Sequence, residues 1–155
     1  MRLDQMFKIE FLSEKLSSNT KMDVLAELIN VLVNSGLTID RAKAIDVLQQ
    51  REKLGSTGIG DGVAIPHGKV SDIHELVVAF GRSKNGVAFD AIDGKPVHLF
   101  FLLLAPENST GQHLKALAKI SKMLKTPNFR KKLIDAKTKS DLYNVIVEQD
   151  ESCPV

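Results

Sequence analysis

The order of elements along this chain predicts an α/β fold, a mixed β-sheet flanked by helices on both faces. Three observations carry that expectation. Amphipathic helical stripes occupy both ends of the chain and short apolar runs the middle, an order that layers helices on a sheet. The run Val97 to Ala105 (VHLFFLLLA) is almost continuously apolar, as a central strand covered on both faces requires. Turn signals such as Asp93-Gly94 join strands in hairpin fashion, which makes the sheet mixed rather than purely parallel.

Taken in order, Arg2 to Ser18 is the least legible part, since Phe7, Ile9, Phe11, Leu12 and Leu16 fit either a short helix or an irregular strand. Thr20 caps a first helix, with Asp23 at the capping-box position. Its apolar stripe is Val24, Leu25, Leu28, Ile29, Leu32 and Val33, and Gly36 stops it. A second helix runs from about Ile39 to Lys53, where Ala44, Leu48 and Arg51 share one stripe, so Arg51 is aimed at the protein. The plain alternative is a cation that complements the helix C-terminus and snorkels outward.

The next stretch, REKLGSTGIGDGVAIPHGK (Arg51 to Lys69), is the one the chain is organised around. It reads as a helix end, a glycine-punctuated loop, a short strand Val63 to Ile65, and then Pro66-His67-Gly68. Glycines let backbone amides turn toward a ligand, because no Cβ blocks close approach. Pro66 biases Ile65 to an extended conformation, so His67 is delivered in a restricted direction, and Gly68 leaves one flank of its ring without a side chain. A histidine beside free amides suits an anion, phosphate above all. Within the loop Ser56 and Thr57 offer hydroxyl donors or form turns, and Asp61 orients a ring or partner or merely occupies a turn.

Leu76 to Gly81 then predicts a buried strand, Gly86 to Phe89 a further extended piece, and Val97 to Ala105 the central strand. Ser109 or Thr110 caps a helix reaching Lys125, a short helix covers Asn128 to Ala136, and Ser140 caps a last one through Val147. Asp150 to Val155 is expected to fray. On the long helix His113, Leu117, Ile120 and Leu124 share a stripe, with Lys115, Lys119 and Lys122 opposite. His113 therefore faces inward in the first turn, where the dipole disfavours its protonation. By default a histidine on an apolar face is a satisfied core residue.

Composition narrows the function classes. At 155 residues the chain is expected to be one domain, 1–155, with a substantial core. A net charge of +2 makes no case for nucleic acid, and the nine basic residues between Lys115 and Lys139 read as a solvated face. The single cysteine, Cys153, excludes an internal disulfide. The absence of an apolar leader in Met1 to Phe7, and of any span of roughly 20 apolar residues, predicts a cytoplasmic protein without direct membrane insertion. Both phosphate-loop templates fail, since Gly58-Ile-Gly60-Asp-Gly62-Val breaks the dinucleotide pattern and Gly68-Lys69 lacks the Walker context. His74-Glu75 lacks the second histidine of a zinc motif, and His98 lies in an apolar strand, so neither a metal nor a cofactor is expected.

REKLGSTGIGDGVAIPHGK, together with AFDAIDGKPVHLFFLLLAP and GQHLKALAKI, resembles the enzyme IIA components of the bacterial phosphoenolpyruvate-dependent sugar phosphotransferase system, fructose/mannitol type. Within that type it is most similar to the nitrogen-regulatory subgroup, from about residue 20 to about residue 147. The resemblance implies a mixed sheet between helical layers and makes His67 the residue that carries phosphate, attached through Nε2. It also makes Arg51 the active-site arginine and His113 the second active-site histidine, and it puts a short polar or acidic residue at Asp61. The implied partners are a carrier protein of HPr type and an enzyme IIB component or regulated target proteins. The implied function is relay of phosphate or its use as a regulatory signal, the latter through binding to transporters or kinases.

Overall fold

In the computed structural model, which describes residues 1–153, the sheet is built around an antiparallel pair, β5 (Val77–Val87) and β6 (Val97–Pro106). Every residue of β6 except His98 is buried, as its nearly unbroken apolar run requires. The short strand β1 (Leu12–Ser13) runs parallel to β5 on one side. On the other side β3 (Val63–Ala64) and β4 (His67–Val70) run parallel to β6, and β2 (Gly58–Gly60) closes the β3 edge antiparallel. The sheet is mixed, as expected. The two strand pieces expected at Leu76 to Gly81 and Gly86 to Phe89 are one strand, whose register shifts between Arg82 and Val87 and bends where Gly86 takes φ +81°.

Strands β3 and β4 are a single line interrupted at Ile65-Pro66. Val63 pairs with Leu99, Ala64 with Phe100 and His67 with Leu103, one constant offset. Pro66 has no N–H to give the ladder, yet its carbonyl still accepts from Leu103 N at 2.9 Å. His67, expected only to follow the short strand Val63 to Ile65, therefore opens a strand of its own and is half-buried.

Side-chain alternation along the strands sorts the two helical layers. A Cβ on Gly68 would lie 2.6 Å from Val47, and one on Gly81 would meet Leu16 and Leu28. That face is covered by α1 (Lys21–Asn34) and α2 (Arg41–Lys53). Thr20 caps α1 by accepting from Asp23 N, Asp40 caps α2 by accepting from Lys43 N, and Gly36 at φ +97° follows α1. His67 and Arg82 point the opposite way. They meet α3 (Thr110–Leu124) and the end of α4 (Pro127–Asp135), in the layer that α5 (Lys139–Glu151) completes.

The N-terminal segment combines both expected forms, with 3-10 turns at Leu3–Gln5 and Ile9–Phe11 ahead of β1. The C-terminal end is not frayed as far as Cys153: α5 continues to Glu151, and Asp150 and Cys153 are buried. Pro154 and Val155 lie outside the described residues. Lys119, expected on the solvated face of α3, is 1% exposed. It pairs with Asp150 and donates to the Met1 carbonyl, while Asp150 accepts from Leu3 N at 2.9 Å and Asp4 N at 3.3 Å. A chain terminus covers this end of α3, which no helical periodicity encodes. Among the described residues no helix is long and apolar enough to cross a membrane.

Candidate active site

His67 folds back on its own chain: its Nδ1 donates to the Ile65 carbonyl at 2.9 Å. A carbonyl only accepts, so the proton sits on Nδ1 and Nε2 carries the lone pair. Burial pushes the imidazole pKa below its ordinary value, and the Arg51 charge adds to that; the Ile65 carbonyl and Glu52 oppose it without reversing it. At neutral pH the ring is thus uncharged, with a nucleophilic Nε2.

His113 meets it from the first turn of α3. The ring centroids lie 5.4 Å apart and the planes are nearly perpendicular. His113 is buried, and its Nδ1 has no hydrogen-bond partner among the described residues. A buried N–H without an acceptor costs more than a bare lone pair, so the proton belongs on Nε2, leaving that nitrogen as a donor. Burial, then the nearby His67 and Lys69, hold its pKa low.

Two cations border the pair. Arg51, in the last turn of α2, gives one hydrogen bond among the described residues, Nη1 to the Gly55 carbonyl at 3.0 Å. It therefore closes the helix end, as the plain alternative had it, while its charge registers at His67. Its other guanidinium N–H groups have no partner among the described residues. Lys69 was not singled out from the sequence. It follows His67 by two residues on β4 and so shares its face, and its Nζ donates to Thr110 Oγ1 at 2.7 Å beside His113. Period-two alternation would have revealed it had His67 been assigned to a strand.

The loop residues are placed differently from the expectation. Thr57 is buried, and both its N and Oγ1 donate to the Glu52 carboxylate, at 2.7 and 2.6 Å, with Lys21 3.4 Å away. Glu52, read only as part of a helix end, is 3% exposed and is the post to which the loop is tied. Ser56 donates to the Phe89 carbonyl at 2.6 Å and accepts from Gly58 N. These hydroxyls and amides are committed to the fold. They do not form a free cradle beside His67.

Asp61 is at the turn of the β2–β3 hairpin with φ +57°, its N–H donating to Asp93. Val63 and His67 pair four residues apart on β6, so Asp61 is roughly 13 Å or more from the histidines along the sheet. The structure brings His67, His113 and Arg51 together and leaves Asp61 out. Gly68 packs against Val47 on the opposite face from the imidazole. Among the described residues no group of His, Cys, Asp and Glu could hold a metal ion.

A mixed sheet between helical layers, carrying a neutral histidine edge-on to a second one, is the frame of one protein class. Residues 5–149 match the model described as "Phosphoenolpyruvate-dependent sugar phosphotransferase system, EIIA 2", and the chain belongs to that family. The match extends beyond the 20–147 span that the motifs suggested. Among relatives, the chain is similar to the "Nitrogen regulatory protein" of Bradyrhizobium diazoefficiens, 42% identical over 84% of this chain and 85% of that protein. It also matches the "PTS system fructose-specific EIIABC component" of Bacillus subtilis, 34% identical over 97% of this chain but only 24% of that protein. The crystal structure of nitrogen regulatory protein IIA-Ntr from Neisseria meningitidis superposes with a TM-score of 0.85 at 34% identity, covering 93% of this chain and 98% of that one.

Proposed function

We propose that this component of the phosphotransferase system is a cytoplasmic phosphocarrier that accepts phosphate on Nε2 of His67 from a phosphohistidine carrier of HPr type. The observation that carries this reading is the Nδ1–H to Ile65 bond, which leaves a neutral Nε2 lone pair beside His113. The carrier's phosphohistidine, protonated on its other ring nitrogen, loses its N–P bond and departs as neutral imidazole. Nε2 of His67 forms the new N–P bond, and Nδ1–H stays on the Ile65 carbonyl. Charge balances without a cofactor. Arg51 and Lys69 stabilise the phosphoryl oxygens and His113 donates through Nε2–H, the positioning and charge work that phosphoryl transfer needs.

The group then passes to an enzyme IIB cysteine or is held as a signal that alters binding to transporters or kinases. Similarity over 85% of a nitrogen regulatory protein supports the regulatory use, and similarity over 91% of a fructose-specific EIIA component of Haloferax volcanii supports the relay. The test is labelling from phosphoenolpyruvate through enzyme I and an HPr-type carrier, followed by phosphorus NMR. Wild type is expected to give an Nε2 phosphohistidine, and folded His67→Ala and His67→Gln none. Carrier-dependent label in either variant, or Nδ1 attachment, overturns the proposal.

A further inference from the structure

At the end of the sheet away from His67 a cavity of about 560 Å³ opens between β1, the β5–β6 pair and the end of α4. His98 on its wall is five residues from Leu103, the partner of His67, or roughly 17 Å along β6. Lys15, Lys84 and Lys137 border it, and none of their ammonium groups has an ion pair or hydrogen bond among the described residues. Among the described residues Glu14 is the only acid lining it.

The inner wall is rigid and polar. Arg82 Nε donates to the Glu14 carbonyl, and Nη1 to the carbonyls of Leu133 and Ala136, so the guanidinium staples the N-terminal segment to the end of α4. Its Nη2 has no partner among the described residues. Ser83 is buried; its Oγ accepts from Gly86 N, so its hydroxyl proton remains to be given. His98 donates Nδ1–H to the Ser83 carbonyl, which leaves Nε2 as an acceptor. Ile134, 48% exposed, supplies an apolar flank.

We infer that this cavity is a binding site for a small organic anion, phosphorylated or polycarboxylated, with an apolar body. The anionic head meets Arg82 Nη2, the Ser83 hydroxyl and the three lysines; the body lies against Ile134 and the lysine stems. A fixed guanidinium fork with mobile ammonium groups around it suits two or more negative charges better than one. Occupancy ties the N-terminal segment, the sheet and α4 together, so the ligand stabilises the folded chain by mass action. The site is independent of the chemistry at His67.

The probes are phenyl phosphate and citrate, with inorganic phosphate testing the head group alone and phenol the body alone. In amide and imidazole NMR titrations at millimolar concentration, phenyl phosphate or citrate is expected to give saturable shifts at His98, Ser83 and Lys84. Whichever binds identifies the head group, and phenol is expected to bind at least tenfold more weakly. Lys84→Glu/Lys137→Glu, two exposed positions, should weaken binding tenfold or more while carrier-dependent labelling of His67 stays unchanged. Shifts confined to His67 and His113, unchanged affinity in the double variant, or saturation by neither organic anion overturns the inference.

Discussion

Replacing Gly68 with alanine separates a packing role from a phosphate-binding one. The added Cβ would lie 2.6 Å from Val47 Cγ1 and 3.5 Å from Leu48 Cδ2. Carbon contacts are optimal near 3.5–4.0 Å, so the overlap is about 1 Å. Val47 is β-branched on a helix, where one χ1 rotamer dominates, and the clash is relieved by moving α2 and β4 apart. Overpacking costs about 1–3 kcal/mol, toward the upper end for an overlap this large against a stiff side chain, and the stiffer unfolded chain returns about 0.4–1 kcal/mol, leaving a net loss of about 2 kcal/mol. Because His67 is the neighbouring residue on β4, its transfer rate should fall as well. Val47→Ala makes room, so the double variant should be more stable than additivity allows by about 1 kcal/mol. Urea unfolding of the four proteins, with labelling rates on the folded fraction, measures both. Additive free energies, or Gly68→Ala as stable as wild type, would refute the packing argument. A rate that stays low once stability has recovered would return Gly68 to the phosphoryl site.

Two further expectations rest on other parts of the molecule. Lys119→Met leaves the Asp150 carboxylate buried without its cation and should cost about 3–5 kcal/mol, only partly recovered by Lys119→Met/Asp150→Leu, which removes the acceptor of the Leu3 and Asp4 amides; urea curves showing a single-variant loss below about 1 kcal/mol would class the pair with exposed ones. Both active-site imidazoles have pKa values lowered from 6.5, so the folded chain resists protons that the unfolded chain binds. Stability from them is fully present above about 6.5 and declines as pH falls through that value toward the depressed ones, a slope that His67→Gln/His113→Gln should flatten in thermal melts at stepped pH.

Much of this was legible because it is local. Helix stripes, the cap at Thr20, the apolar run of β6 and the motif around Pro66-His67-Gly68 depend on neighbours a few residues apart, whereas Ser109 gives its hydroxyl to the Pro106 carbonyl instead of capping α3, and Thr138, not Ser140, caps α5. Side-chain period and proline stereochemistry act at that range. The inward orientation of His113 was legible the same way, from its stripe in a first turn, while its place beside His67 was implied only by the resemblance.

What only the tertiary structure decided are the roles set by partners distant in sequence. Arg82 is an ordinary strand cation until the carbonyls ending α4 arrive beside it, and Lys119 belongs to a polar face until Asp150 and the N-terminus cover it. Glu52 is near Thr57 in sequence, yet its burial depends on Lys21 and the sheet edge closing over it. Gly68 reads as a gap for phosphate because motif and packing demands both select a residue without a side chain; only Val47, brought in by α2, distinguishes them. A sequence states what each residue can bond or bury. Which partner it meets is decided when strands and helices that are far apart in the chain close on one another, because the free energy of a buried charge or a tight contact belongs to the pair and not to either residue alone.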